Sequence, residues 1–349
     1  MFRAIPPYLV SDSMPSSLSP SRPVRRRRWS RRVLMAVLVL LVCLGGVFYW
    51  RPLWVVDELT RAWLRVAGVR SEYIQLGPYR IHYLVGGAPS VGSGPQGTRG
   101  KPLVLVHGLG GKSENWASLM PAFIRHGHRV YALDLLGFGQ SDRPNVDYSI
   151  ALQADILLQF FESQNLTRAD LGGWSMGGWV ALKFAVAHPE RVRRVVVYDS
   201  AGIYFKPRFD AALFHPATVE QAQQFLALLT PQASRIPRFV VRDLIREARP
   251  TAWVVDRSMK SMQAGTDLLN GQLQSLQAPV LIVWGKQDVL LPLCRGEELR
   301  GEMPQSSLAI FDGCGHLAPA ECSRRVLVET LRFLAAEPPL PPFTREFPQ

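Results

Sequence analysis

From about residue 72 the chain alternates short apolar runs with stretches of helical period. Strands are expected at 73–76, 80–85, 102–107, 129–134, 169–174, 194–199, 280–285 and 307–312, with helices at roughly 114–126, 151–164, 176–188, 295–301 and 321–336 between the later ones. Strand and helix in alternation call for right-handed crossovers, so the pattern predicts an α/β fold built on a doubly wound, mainly parallel, eight-stranded sheet. The first two runs, joined by Gly77-Pro78, predict an antiparallel hairpin at one edge.

The alternation breaks once, between Ile203 and Ala278, where a helical pattern rich in Phe and Leu intervenes (Phe214, Phe225, Leu226, Leu229, Phe239, Leu244, Trp253). Ligands of open α/β sheets bind outside the carboxyl ends of the strands, so an insertion there caps a site. Residues 72–203 and 279–337 are expected as the core and 204–278 as a helical cap, whose apolar residues serve either its own packing or a substrate. The Gly/Ser/Pro-rich stretch 86–100 predicts a loop, and the Pro-rich end 338–349 a flexible tail.

Ahead of the core, residues 1–32 form a basic, Ser/Pro-rich tail ending in Arg25-Arg26-Arg27-Arg28-Trp29-Ser30-Arg31-Arg32, followed by eighteen uncharged residues, Val33 to Trp50. As a helix these reach about 27 Å, close to the ~30 Å hydrocarbon thickness, so residues 33–50 are expected to cross a membrane once. The Arg run places the N-terminus in the cytoplasm, and Phe48, Tyr49, Trp50 and Trp54 suit the opposite interface. The remainder would then lie outside the cytoplasm, in the periplasm of a Gram-negative cell. A cleaved signal peptide is the competing reading, but Val-Phe-Tyr-Trp-Arg-Pro offers no small-x-small cleavage site, and the large Val42 before Cys43 argues against a lipoprotein. Residues 51–71 read as a juxtamembrane connector, with Leu53, Val56, Leu59, Trp63 and Val66 at helical spacing; a surface-lying helix and a packed connector both fit.

Net charge is +12, but residues 1–70 hold twelve Arg against three acids, leaving 28 basic and 25 acidic residues in the rest. A nucleic-acid binder carries its basic patch on the folded domain, and this chain does not. Four cysteines stand at 43, 294, 314 and 322 without a C-x-x-C pair, which argues against structural zinc and leaves open one disulfide among the last three.

The chemistry centres on Gly173-Trp174-Ser175-Met176-Gly177-Gly178, a G-x-S-x-G sequence between an expected strand and helix. Its glycines permit a sharp turn that presents a serine hydroxyl beside a helix N-terminus. His107-Gly108-Leu109-Gly110-Gly111 follows the strand Leu103-Val104-Leu105-Val106; with no Gly-Lys-Ser/Thr ending it is not a phosphate loop. Backbone N–H groups at such a turn stabilise an oxyanion, and those of Leu109 and Met176 are the expected donors, with His107 structural.

With these residues, Leu133-Asp134-Leu135-Leu136-Gly137-Phe138-Gly139-Gln140-Ser141-Asp142-Arg143-Pro144 resembles the D-x-x-G-x-G-x-S segment of cofactor-independent α/β-hydrolases, the lipases and esterases, over about residues 72–337. The resemblance implies the chain order Ser, acid, His. Asp288, ending Trp284-Gly285-Lys286-Gln287-Asp288, resembles the family's acid, and His316, ending Phe311-Asp312-Gly313-Cys314-Gly315-His316, its base. Asp199 is the alternative acid, Asp312 is too near His316 in sequence, and His82, His126, His128, His188 and His215 are expected as surface or capping residues. A serine at the elbow disfavours dehalogenase and epoxide-hydrolase chemistry. The resemblance implies ester hydrolysis without cofactor or metal, on apolar acyl or lipid esters such as monoacylglycerols. Same-fold carbon–carbon cleavage, perhydrolysis or acyl transfer, and a non-catalytic membrane scaffold, stay open.

Overall fold

Apolar runs become central strands here because both faces of the sheet are covered. Along β3 (Lys101–Val106), Val104 and Val106 feed the core on one side while Leu103 and Leu105 feed the core on the other. The computed structural model describes residues 25–88, 100–207 and 209–349. The tail expected over residues 1–24 and most of the expected loop 86–100 lie outside these residues. Two units are distinguished, one ending at Phe48 and one running Tyr49–Gln349.

The N-terminal helix α1 (Arg25–Trp50) takes in the Arg run, and its stretch Arg31–Trp50 is long and apolar enough to cross a membrane. Arg51 separates it from α2 (Pro52–Val66), which starts with proline at its first position, where no N–H is needed.

The hairpin strands β1 (Arg70–Leu76) and β2 (Tyr79–Gly86) pair antiparallel, and β2 pairs antiparallel with β4 (His128–Leu133). After β3 come α3 (Met120–Arg125), β4 and α4 (Ile150–Ser163), the last capped by Ser149, whose hydroxyl accepts the Leu152 N–H at 3.1 Å. Then follow β5 (Ala169–Trp174), α5 (Met176–Ala187) and β6 (Val192–Tyr198). The cap holds α6 (Val219–Leu229), α7 (Arg238–Ala248) and α8 (Ala252–Ala264). Thr218 and Gln221 form a capping box at α6, and Gly265 closes α8 in the left-handed region at φ 76°.

The chain returns with β7 (Val280–Gly285), α9 (Leu293–Glu302), β8 (Ser307–Phe311), α10 (Ala318–Glu321), α11 (Ser323–Ala335) and β9 (Thr344–Phe347). The sheet order is β1-β2-β4-β3-β5-β6-β7-β8-β9, parallel from β4 onward.

The eight-stranded sheet with a flexible tail at 338–349 is thereby corrected to a sheet of nine strands among the described residues. Residues 344–347 pair parallel with β8, and Phe347 stacks on Phe311 with ring centroids 4.8 Å apart. Proline density hid this strand: four residues are too few for a visible alternation, and what orders them is a distant partner.

Candidate active site

Ser175 follows the last residue of β5 and precedes α5, at φ 56° and ψ −119°, a left-handed conformation that side chains rarely adopt. The glycines around it make room for crossing backbone. A Cβ on Gly177 would sit 2.3 Å from the Val106 carbonyl oxygen, and one on Gly173 would sit 2.3 Å from that of Gly177. The turn bearing Leu109 therefore presses directly on the elbow, and even at Gly108 a Cβ would lie 3.1 Å from Ser175 Cβ. Met176 opens α5, so its N–H belongs to the first turn, where helical N–H groups lack an intrahelical acceptor.

Three side chains from three strand ends meet in a row. Ser175 Oγ lies 2.9 Å from His316 Nε2, and His316 Nδ1 lies 2.8 Å from Asp288 Oδ2. The other Asp288 oxygen accepts the Leu291 N–H at 2.8 Å, and both Asp288 and His316 are buried. The acid and histidine loops pass so closely that a Cβ on Gly285 would stand 2.0 Å from the Gly315 carbonyl oxygen.

The histidine loop is tied down on every side. Trp174 Nε1 donates to the His316 carbonyl at 2.8 Å, Glu321 accepts the Gly315 N–H at 2.6 Å, and Cys314 and Cys322 form a disulfide. Cys43 and Cys294 are free.

Asp199 sits beside Asp288 rather than against His316. Its Oδ1 accepts the Gly285 N–H at 2.7 Å, while Oδ2 is buried without a partner. Burial, and then the neighbouring Asp288 charge, push this carboxyl well above the usual range. Asp312 instead accepts from the Gln287 amide at 2.6 Å.

Two histidines depart from the surface or capping roles expected of them. His82 is fully buried, with Nδ1 2.7 Å from Asp134 Oδ2 and Nε2 2.7 Å from Ser71 Oγ. Burial acts to raise Asp134, but hydrogen bonding and charge from His82 outweigh it and hold the carboxyl low. This carboxylate also accepts the N–H groups of Ser113 and Gln140, so it fixes both loops at the rim of the site. His128 is also buried. A single polar residue on an apolar strand gives no hint of an inward partner from another strand. His126 bonds back to the Ala122 carbonyl at 2.9 Å, His188 caps α5, and His215 pairs with Asp256. His107 accepts the Leu135 N–H at 3.0 Å, a bond within the scaffold, and burial lowers its pKa.

Two cavities meet at Ser175. One of about 430 Å³ is lined by Met176, Trp179, Ile203, Phe209, Met259 and Met262 and is apolar in character. The other, of about 550 Å³, carries Asp57, Arg61, Lys112, Gln140 and Arg143 besides apolar residues. Cap residues Phe214, Phe225, Leu229 and Leu244 line this second cavity; among the described residues Ala222, Leu226 and Val241 form a small buried cluster within the cap, while Val254, Val255, Leu269 and Leu273 join the core under the sheet. Leu53 and Trp54 of α2 also line it, a role that their spacing in the sequence did not reveal. Among the described residues, no group of His, Cys, Asp and Glu side chains could hold a metal ion.

The family model for the alpha/beta hydrolase fold matches residues 101–321. A 2-hydroxy-6-oxononadienedioate/2-hydroxy-6-oxononatrienedioate hydrolase of Burkholderia vietnamiensis is 30% identical over 254 residues, 68% of this chain and 88% of that one. A 2-hydroxy-6-oxo-2,4-heptadienoate hydrolase of Pseudomonas putida is 31% identical over 255 residues, covering 68% and 90%. Among solved structures, a membrane phospholipase A described as a bacterial virulence factor superposes with a TM-score of 0.68 at 26% identity, covering 86% of this chain and 99% of the other.

Proposed function

Since the chain belongs to the alpha/beta hydrolase family, we propose that it is a serine hydrolase cleaving carboxylic esters of apolar acyl chains, lipid esters such as monoacylglycerols among them. The observation that carries the reading is the row Ser175 Oγ, His316 Nε2 and Nδ1, Asp288 Oδ2, with spacings of 2.9 and 2.8 Å, where an apolar and a mixed cavity meet.

Ser175 Oγ attacks the ester carbonyl while His316 Nε2 takes its proton, and Asp288 holds the ring with Nδ1–H toward itself and stabilises the imidazolium. The N–H groups of Leu109 and Met176 receive the oxyanion. On collapse the C–O bond breaks, His316 returns the proton to the leaving alcohol, and water attacks the acyl-enzyme with His316 again as base. The acyl chain fits the 430 Å³ apolar cavity, and the alcohol fits the mixed one.

Carbon–carbon hydrolysis is the second reading, favoured by the names of the two curated relatives. Their substrates are keto acids with a carboxylate to be held. Among the described residues that line the apolar cavity, the one cation is the exposed Lys206, and this favours an uncharged acyl chain. The phospholipase name of the structural neighbour points the same way.

A panel of p-nitrophenyl esters from butanoate to dodecanoate, with a monoacylglycerol and a 2-hydroxy-6-oxodienoate, tests the choice. Higher kcat/KM on the longer esters is expected; preference for the dienoate by about tenfold would replace the ester reading.

We place α1 in the cell membrane, with the N-terminus cytoplasmic and the remainder outside the cytoplasm, because Arg31–Trp50 is apolar throughout after its initial basic pair. Protease added to spheroplasts should then cut the large unit, and protection until the membrane is lysed would reverse the orientation.

A further inference from the structure

Helix α2 presents two unlike faces. Its inner face is bound to the hydrolase unit by polar ties along its length. Asp243 of α7 accepts the Leu53 N–H at 2.9 Å and pairs with Arg51, while Arg246 donates to the Trp50 carbonyl at 2.7 Å. Further along, Arg61 pairs with Glu114 at 2.8 Å and Asp57 pairs with Lys112, on the segment that begins with Gly108 and Leu109. These same residues, with Leu53 and Trp54, form one wall of the 550 Å³ cavity that reaches Ser175.

The outer face is apolar and bare. Val56, Leu59, Trp63 and Val66 are 49, 65, 49 and 89% exposed, a contiguous run of large apolar side chains on one side of a fifteen-residue helix. Scattered apolar residues on a surface need no explanation, but a concentrated patch marks a contact. Tryptophan and leucine on this face, with the exposed Arg65 flanking it, suit the headgroup boundary of a bilayer. Continuity of the chain selects that occupant. Only Arg51 stands between α2 and the apolar stretch Arg31–Trp50, and one residue spans about 3.5 Å, so α2 starts where the membrane-crossing candidate ends.

We infer that the outer face of α2 docks on a lipid bilayer surface and sets the mouth of the mixed cavity at that surface, so that an amphiphilic ester reaches Ser175 laterally from the membrane. The docking follows from the helix; the delivery rests on the ester-hydrolase reading.

Two measurements on the full chain, reconstituted in phosphatidylcholine/phosphatidylglycerol vesicles, test the two halves. In a Cys43→Ser, Cys294→Ser background, an environment-sensitive fluorophore is attached at Leu59→Cys and, for comparison, at Val328→Cys, an exposed apolar position on α11. Docking predicts quenching at 59 by lipids nitroxide-labelled on the acyl chain, with iodide at least threefold less effective than at 328. Equal access of iodide to both sites overturns it, and shielding of 59 from both quenchers overturns it in favour of a second copy of the chain. For delivery, Leu59→Glu with Trp63→Glu should lower turnover of a vesicle-borne monoacylglycerol about tenfold while leaving soluble p-nitrophenyl butyrate unchanged. An equal fall on both substrates, or no change on either, overturns delivery. Absence of any esterase activity in the unaltered protein refutes the underlying function, and the quenching still decides the docking.

Discussion

Exchanging each of the two neighbouring carboxyls for its amide separates their roles. Asp288 accepts the Leu291 N–H through Oδ1 and faces His316 Nδ1 through Oδ2, both at 2.8 Å. In Asp288→Asn the amide oxygen stays on the Leu291 N–H, so the NH₂ group turns toward His316. An NH₂ donor forces Nδ1 to accept, which puts the ring proton on Nε2, the atom that must receive the Ser175 proton. The base is lost in that tautomer, and kcat should fall about 10³- to 10⁴-fold, equivalent to about 4–5.5 kcal/mol. The Asp199 carboxyl is pushed well above its usual range by burial and then by the Asp288 charge, and its Oδ1 accepts the Gly285 N–H at 2.7 Å. Asp199→Asn keeps that acceptor and leaves the Asp288–His316 hydrogen bond in place, so kcat should stay within about threefold. The assay is steady-state hydrolysis of p-nitrophenyl butyrate by the full chain in detergent between pH 6 and 9. A large loss in Asp199→Asn alongside near-normal Asp288→Asn would transfer the acid to the end of β6 and refute the reasoning.

Ser175→Ala should lower kcat by about 10⁴-fold or more with an unchanged circular dichroism spectrum; more than a tenth of the original activity would remove Ser175 from its role. Gly177→Ala puts a methyl 2.3 Å from the Val106 carbonyl and 2.4 Å from that of His107, so it should destabilise the fold by about 2–3 kcal/mol, read as a lower Tm. His128 is buried, and burial lowers its pKa from 6.5 to about 4, so the unfolded chain binds the extra proton between those values. Stability is therefore fully present above pH 6.5 and declines as pH falls toward 4, by about 2 kcal/mol at pH 5; urea unfolding of His128→Phe should lack this component of the pH dependence.

The parts legible in the sequence were those written locally. Strand β7 is a continuous apolar run closed by glycine, and the elbow is marked by Gly173, Gly177 and Gly178 around Ser175, so period and composition located them within a few residues. Residues whose role depends on a distant partner carried no such mark. His82 looks like any polar residue on a strand until β4 brings Asp134 alongside, and β9 has no identity without β8. The Cys314–Cys322 disulfide was one of several possible pairings, settled by how the chain folds back from the histidine loop into the following helix. Asp199 was legible as a strand-end acid, but the upward push on its carboxyl comes from burial and then from Asp288, a neighbour 89 residues further along the chain.

This division has a physical consequence for where the molecule can adapt. The serine side of the site is fixed by backbone packed against backbone at Gly173 and Gly177, and the histidine side by Trp174, Glu321 and the disulfide, so neither tolerates much movement. The cap is different: among the described residues its separate core is the small cluster Ala222, Leu226 and Val241, the rest of its burial is shared with the main core through Val254, Val255, Leu269 and Leu273, and Phe214, Phe225 and Leu229 line the cavity. An element with so small a core of its own takes its position from what it leans on, which here includes the ion pairs and backbone contacts between α7 and α2. The cap also meets the row's own loops: a Cβ on Gly315 would lie 2.6 Å from the Leu229 carbonyl oxygen, Leu290 donates its N–H to the Leu228 carbonyl at 3.1 Å, and Thr230 bonds to Glu321, so substitutions at 228–231 reach His316 and Asp288, whereas those at Phe214 and Phe225 reshape the cavity.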